Sequence, residues 1–444
     1  MIPDQNARDQ ISVTIWRAVE AIVPQLEAAV RGAASLDALE TAVGAVVQTL
    51  GQEVVTVGAQ RMATGPARAI PGCATCGQPL RRVGVRPRTV LGIFGAYALT
   101  RPYWVCPHGH GGVAPADAVW GLGAGTLAPR LVAVLSRLAV DLPFDAVSAV
   151  VAETLGVAVD GETVRRTVEA VGQAVEAAEH AAAAAPRSPG GPTAPEGVIL
   201  LTDGGMIHTD RAWHEAKVGV CQPLVRTGPT TFTPQGPADY CVGLESRAAF
   251  WPRFYAHAVQ AGIQDPRCPL IVLLGDGAHW IWDDGAAYFG EAGRELVEIL
   301  DFYHAAEHLA AVAHAVWGEG TPAAQAWWTQ QRAALLHEGP APLFTALAAL
   351  VPPHDAAQAV VTRETAYFRY HETRLHYPTY RARGLPIGSG QVESACKVVL
   401  KHRLAQAGMR WRQAGAQAVA TLRARHRSGQ WDPLWATGTP GAAA

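Results

Sequence analysis

Apolar residues recur at helical spacing at Leu36, Leu39, Val43, Val46, Val47, Leu50 and Val54. Residues 11–60 therefore read as paired helices, with Ser35 placed to cap the second. Such a hairpin cannot enclose a core alone and must pack on the rest of the chain or on a second copy. Between residues 70 and 115 the pattern becomes an alternation of β-branched and aromatic residues, which predicts a strand hairpin. Helical spacing returns over 126–180. Ala146, Val147, Val150 and Val151 belong to one helix, Gly156 makes a turn, and 163–175 form a second helix. The stretch "AAAAAPRSPGGPTAP", 181–195, has no periodicity and reads as a linker. Beyond it, two apolar runs of strand length, "GVILLTD" and "PLIVLLGD", each end in an aspartate. Strand-like "HEAKVGVCQ" and "DYCVGLE" and a helical "AAFWPRFYAHAVQAG" lie between them.

The chain has 444 residues, enough for two to four domains. No apolar run reaches the roughly 18–20 residues of a membrane span, and the N-terminus lacks a basic stretch followed by an apolar core. A cytoplasmic protein without a membrane partner is expected. The net charge of −2 does not announce a nucleic-acid partner. The charge is unevenly spread, however. From Ser394 to Trp431 there is no acid, while Lys397, Lys401, Arg403, Arg410, Arg412, Arg423, Arg425 and Arg427 are all present. This segment is either a solvated helix or a phosphate-contacting surface.

Seven cysteines, an odd count, argue against a disulfide framework. Cys73 and Cys76 form a C-x-x-C, and Cys106, His108 and His110 form a second knot across the predicted hairpin. Three thiolates and one imidazole suit a closed, structural tetrahedral zinc, with either His108 or His110 as the fourth ligand. Arg165 and Arg166 stand near the start of the second helix of the helix-turn-helix cadence, where a recognition helix meets DNA.

Asp203 and Asp276 follow buried-strand runs and have glycines beside them, which would let a phosphate or metal approach the backbone. Each alone also fits a turn or cap residue. Glu393 follows the glycine turn of "GLPIGSGQVESACK". Asp203, Asp276 and Glu393 together would make an oxygen cage for two hard divalent ions of the kind used in phosphoryl transfer.

These motifs resemble the ribonuclease-H-like DDE transposases of bacterial insertion sequences, most closely the ISKra-type group. The likeness rests on "LLTDGGMI", "LLGDGAHWIW", "ILDFYHAAEHL" and "GLPIGSGQVESACK", and on "AGMRWRQAGAQAVATLRA" after the glutamate. Asp301 and His304 match the Asp-x-x-His signature of Mutator-like relatives. The resemblance implies an α/β, ribonuclease-H-like catalytic domain in two parts, 196–304 and 384–435, interrupted by an all-helical insertion, 305–383. A helical N-terminal region (1–69), a zinc ribbon (70–115), a helix-turn-helix-like region (116–180) and the linker would precede it, and 436–444 would be a disordered tail.

The implied chemistry uses two Mg2+ or Mn2+ ions on Asp203, Asp276 and Glu393. They activate water and then a DNA 3′-hydroxyl against phosphodiesters, with Asp301 and His304 as supporting catalytic residues. The implied partner is double-stranded DNA, at element ends and target, in the nucleoid and held by a homo-oligomer. Lys397, Lys401, Arg403, Arg410 and Arg412 would meet phosphates. Trp411 would stack on an unpaired base or pack in the core. Tyr367, Arg369, Tyr370 and Arg374 are a weaker DNA-contact group, and Trp327 and Trp328 are expected in the core. A resolvase-type nuclease on the same fold and a catalytically inactive DNA-binding protein are the alternatives. The ribbon's "CPHGH" departs from the usual second Cys pair, and a near-neutral charge is low for a DNA enzyme.

Overall fold

The chain divides into two units, residues 1–174 with 432–444, and residues 175–431. The computed structural model describes residues 5–64, 71–184, 195–229, 231–290, 293–436 and 438–441. Most of the expected linker, 185–194, lies outside the described residues, while 181–184 continue a helix.

In the first unit, α1 (Gln5–Gly32) and α2 (Leu36–Thr64) form the expected hairpin, and Ser35 Oγ accepts the amide of Ala38 at 3.2 Å. Strands β1 (Arg81–Gly92) and β2 (Gly95–Val105) pair antiparallel around a two-residue turn. The short β3 (Gly112–Val113) pairs only with Trp104 and Val105 of β2. Much of β2 would therefore show a bare edge. Two glutamines of α2 cover it. Gln52 Nε2 donates to Ala96 O at 2.5 Å, and Gln60 bonds both the amide and the carbonyl of Thr100, at 2.9 and 2.6 Å. The α1–α2 hairpin thus packs on its own chain through side-chain amides as well as apolar contact. Val90, Tyr97, Leu99 and Leu122 make the small core beneath, with Phe94 and Trp120 against it.

Helices α3 (Pro115–Val119), α4 (Pro129–Ala139), α5 (Phe144–Leu155) and α6 (Gly161–Ala184) follow. Gly156 ends α5 at φ 63°, a left-handed position that glycine occupies without a Cβ penalty. Asp160 caps α6 through the amide of Thr163 at 2.8 Å. The helix-turn-helix cadence is therefore a real helix pair. Of the expected tail, 438–441 are placed, and a Cβ on Gly441 would meet Ala174 at 2.8 Å. Residues 437 and 442–444 lie outside the described residues.

The second unit is built on a mixed sheet of β4 (Gly197–Thr209), β5 (Ala212–Arg226), β6 (Phe232–Pro234), β7 (Asp239–Gly243), β8 (Leu270–Gly275) and β9 (Glu295–Leu300). The order is β6-β5-β4-β8-β9, with β7 also paired to β5. β5 runs antiparallel to β4, β6 and β7, while β8 and β9 run parallel to β4. β4 does not stop at Asp203. It continues to Thr209, because Asp210 and Arg211 (φ 49° and 69°) turn it tightly into β5. The parallel ladder does stop there: the last β4–β8 pair is Thr202 with Gly275, so Asp203 and Asp276 are the next residues on neighbouring strands.

Helices α7 (Arg247–Gln260) and α8 (His279–Phe289) flank the sheet in sequence. The expected insertion comprises α9 (Phe302–Trp317), α10 (Pro322–His337), α11 (Pro340–Ala348), α12 (Asp355–Tyr370) and α13 (Tyr377–Ala382). Trp328 is anchored in it through Nε1 to Ala306 O at 2.8 Å, and Trp327 packs on Trp317 at 5.5 Å; both are half-buried rather than in the core. The chain then forms α14 (Gly390–Ala395), a π-helical turn (Cys396–Lys401), α15 (His402–Leu404), α16 (Gln413–Arg427) and α17 (Trp431–Trp435).

Buried charge explains why the end of α6 belongs to this second unit rather than to the helices before it. Arg253, 1% exposed, bridges Glu179 of α6 and Glu245, each at 2.5 Å. Arg425 of α16 holds the other oxygen of Glu179 at 2.7 Å. Next to them His257 Nδ1 meets Asp239 at 2.7 Å. Burial opposes charge on both partners, but mutual attraction wins: His257 is held well above its usual 6.5 and Asp239 below its usual 3.8.

The raised His257 pKa stabilises the fold fully below pH 6.5 and less as pH rises through the folded value. The lowered Asp239 pKa stabilises it fully above pH 3.8 and less as pH falls through the folded value. Asp239→Asn should destabilise the protein by about 3–5 kcal/mol, as expected for a buried pair that loses one partner. In urea titrations the deficit should be largest between about pH 4 and 6.5 and shrink on either side. A deficit independent of pH would contradict the pairing.

Candidate active site and metal group

In the first unit, Cys73, Cys76, Cys106 and His110 bring one ligand atom each to within 4.8 Å of one another. The hairpin causes this. Cys76 precedes β1 and Cys106 follows β2, and the pairing of Arg81 with Val105 closes the open end between them. Tetrahedral zinc, with Zn–S about 2.3 Å and Zn–N about 2.0 Å, requires S···S edges of about 3.8 Å and S···N edges of about 3.5 Å. Cys76 and Cys106 Sγ lie 3.6 Å apart, and His110 Nδ1 lies 3.8 Å from Cys73 Sγ and 3.6 Å from Cys106 Sγ. The donors and the edges both fit the ion. Backbone amides of Cys76 and Thr75 pull the Cys73 thiol down to about 6, towards the thiolate a metal needs.

His108 stands outside the group. Its ring sits edge-on to His110 at 6.2 Å, and its backbone amide donates to Cys106 Sγ at 3.4 Å. Of the two histidines left open by spacing, His110 is the one brought to the thiols.

In the second unit, Asp203 and Asp276 stand side by side where the parallel ladder ends. Neighbouring strands lie about 4.8 Å apart. Asp203 Oδ1 accepts the amide of Gly204 at 2.7 Å, and Asp276 Oδ1 accepts that of Ala278 at 2.9 Å. Asp276 therefore also serves as a turn residue. Burial first, and then the charges of Asp203 and Glu215, push the Asp276 carboxyl up, against the pull of the Ala278 amide and His304. Among the described residues no lysine or arginine forms an ion pair with either aspartate.

The helix carrying Glu393 packs over β4 and β5. Cys396 Sγ, one turn after Glu393, donates to Asp203 Oδ2 at 3.4 Å, and burial and Asp203 raise its thiol pKa. Glu393 itself is exposed. The three carboxylates are not among the sets of ligand atoms that converge within 4.8 Å. The structure thus joins Asp203 to Asp276 and brings Glu393's helix to them, with the Glu393 side chain pointing to solvent.

The flanking glycines serve packing, contrary to the expectation of ligand access. A Cβ on Gly204 would meet Glu215 Oε1 at 2.5 Å, one on Gly205 would meet Leu400 at 3.0 Å, and one on Gly277 would meet Tyr367 at 2.4 Å. Side chains already fill these approaches.

Asp301 is a tie between elements. It is 1% exposed and caps α9 through the amide of His304 at 2.7 Å. Its other oxygen accepts the amide of Ser389, and its own amide donates to Gly275 O at 2.8 Å. Phe302 N donates to Ile387 O at 2.9 Å. One residue thus joins the strand end beside Asp276, the start of α9 and the turn that launches Glu393. His304 is half-buried, 3.6 Å from Glu307 and 3.3 Å from His308.

The basic segment divides in two. Lys397, Lys401, Arg410, Arg412 and Arg427 are exposed. Arg403 is 1% exposed and lies over the Trp411 ring, whose Nε1 donates to Leu404 O at 3.0 Å. Arg403 is therefore not a surface phosphate contact, and Trp411 packs rather than standing free for a base. Arg423 is buried too, bonding Val399 O at 2.8 Å and Val398 O, both within the π-helical turn. Arg425 is taken by Glu179.

In the first unit Arg165 is held between Glu162 and Glu169 at 2.6 and 2.5 Å, and Arg166 is exposed. The interleaved group of the insertion is engaged by its own chain, although Arg369 and Tyr370 remain exposed. Arg374 binds Glu298 at 2.9 Å, Arg369 lies over Phe344, Tyr370 donates to Asp283 at 3.0 Å, and Tyr367 covers Gly277.

Sequence reasoning missed Glu215 and Cys396, read Tyr367 only as a weaker DNA contact, and gave His308 no role. Only Glu215 had a signal, as the acid flanking Lys217 on an otherwise apolar strand. A further set, Glu176, His180 and Glu245, converges within 4.8 Å, but Glu245 is already held by Arg253 and by His180 at 3.1 Å. No protein-family model matches the chain, and no curated protein matches it in sequence. No helix among the described residues is long and apolar enough to cross a membrane.

Zinc in the purified protein should disappear in Cys73→Ser and His110→Ala and persist in His108→Ala, measured by atomic emission. Chelation should lower the thermal midpoint of the wild type, because binding energy in so small a knot is folding energy. Retention of zinc by both ligand variants would contradict the site.

Proposed function

We propose that the chain is a DDE-type DNA transposase, a divalent-metal-dependent strand-transfer enzyme on a ribonuclease-H-like sheet. The sheet supports this reading: three antiparallel strands, then two parallel ones, in the order of that fold, with helices inserted after the last strand. The observation that carries it is the adjacency of Asp203 and Asp276 with, among the described residues, no lysine or arginine ion-paired to either. Two neighbouring carboxylates repel each other, and hard divalent cations relieve that repulsion with the oxygen ligands they prefer.

Bound at these carboxylates, such ions polarise a phosphodiester and lower the pKa of a bound water or hydroxyl. The chain's own contribution is placement. Asp203 and Asp276 are held by strand register. Asp301 fixes the turn before α14, so Glu393 enters one turn from Cys396 and on its face of the helix. On this reading the exposed Glu393 side chain turns in towards Asp203 when the ions bind. Lys397, Lys401, Arg410 and Arg412, exposed beyond Glu393, supply phosphate contacts, and the Cys3His group stiffens the hairpin of the first unit with zinc.

The outward-pointing Glu393 favours a second reading, a DNA-binding protein that has lost cleavage. The two separate on one assay. Asp203→Asn, Asp276→Asn and Glu393→Gln should each lower Mg2+-dependent cleavage of the element's own end DNA by on the order of 10^3-fold, with DNA retention in gel shifts unchanged. A wild type that binds ends but never cleaves them supports the second reading. Full cleavage by any one variant removes that residue from the site.

A further inference from the structure

The helical insertion reaches back to the acidic site through one cluster. On α12, Glu364 is 3% exposed and its Oε2 lies 2.5 Å from His308 Nδ1. Arg363 holds the other carboxylate oxygen at 2.6 Å. His308 Nε2 is 3.3 Å from His304 Nε2. Tyr367, one turn after Glu364, stacks on His308 with ring centroids 3.7 Å apart and planes 12° apart. The hydroxyl end of the Tyr367 ring covers Gly277, the residue after Asp276. His371, fully buried, closes the cluster at 4.7 Å from Tyr367.

Hydrogen-bond chemistry fixes a direction along this chain. A carboxylate only accepts, so His308 Nδ1 carries a proton and donates to Glu364. In neutral His308, Nε2 is then the acceptor. Its contact with His304 requires the proton to sit on His304 Nε2. His304 Nδ1 is left as the unprotonated nitrogen, with Glu307 as the charged group beside it at 3.6 Å. One glutamate from a segment 56 residues away along the chain thus sets the tautomers of two histidines.

We propose that Glu364 and Tyr367 of the insertion are positioning residues of the acidic centre. Glu364 orients His304 through His308, and Tyr367 packs on Gly277 and holds the backbone that carries Asp276. This rests on the transposase reading for the chemistry it serves, but the contacts themselves do not. The insertion on this view is part of the active site's outer shell. Such outer-shell partners typically change activity about 10–100-fold when removed.

The test compares wild type, Glu364→Ala and Glu364→Gln by two readouts. One is the 15N shift pattern of His308 at a pH where its ring is neutral. The other is Mg2+-dependent cleavage of end DNA. Wild type should show His308 protonated at Nδ1. Alanine, with nothing to accept that proton, should move the tautomer towards Nε2–H and lower kcat about 10–100-fold with little change in KM. Glutamine still offers a carbonyl oxygen and should restore both.

An unchanged His308 tautomer in Glu364→Ala overturns the proposal. A changed tautomer with unchanged kcat overturns it too, as does a glutamine variant that restores neither readout. A wild type that does not cleave removes the transposase reading, and with it the positioning role, while the tautomer readout still tells whether Glu364 governs the histidines.

Discussion

Two carboxylates held one strand apart, with no lysine or arginine ion-paired to them among the described residues, are the constraint on which the account of the second unit rests. Backbone register puts Asp203 and Asp276 together, each the next residue after the last pair of the parallel ladder of β4 and β8. Burial first, and then the charges of Asp203 and Glu215, push the Asp276 carboxyl up. Natural folds seldom keep such a pair without a use for it, because perturbed carboxylates gather where charge is handled. A site that attracts cations is the simplest chemical consequence.

The surroundings manage charge in the opposite way. Away from the pair, buried charges are closely matched: Arg253 with Glu179 and Glu245, Arg425 with Glu179, His257 with Asp239. Those ion pairs tie α6, α7, β7 and α16 together. The same sheet therefore carries a neutralised network at one place and an uncompensated pair at another. Asp301 lies between these extremes. It spends both oxygens on backbone amides, and so converts a charge into fixed geometry for α9 and for the turn before Glu393.

Much of this was legible in the residues, and the losses have physical causes. Periodicity located the α1–α2 hairpin with its Ser35 cap, the β1–β2 hairpin, the helix pair around Gly156 and the apolar strands before both aspartates. C-x-x-C and a second cysteine across a hairpin pointed to the metal group, but His108 and His110 are equivalent in spacing, and only the turn at Cys106 decides between them. The end of β4 was misjudged because Asp-Gly-Gly reads as a turn. The strand passes through it because β5 supplies a partner for every residue up to the Asp210–Arg211 turn. The basic segment was over-read for a similar reason. Charge is visible in sequence and burial is not, so Arg403, Arg423 and Arg425 looked like the exposed Lys397 and Lys401. The packing roles of Tyr367 and His308 could not be read from sequence, since their meaning comes from contacts made across the insertion.

The central claim is that Asp203 and Asp276 share a hard divalent cation. Anomalous diffraction from crystals soaked in Mn2+ tests it most directly. The account predicts a manganese peak within about 2.0–2.3 Å of an oxygen from each aspartate, with Glu393 turned in towards it. Saturating Mn2+ with no peak between the two carboxylates would contradict the account.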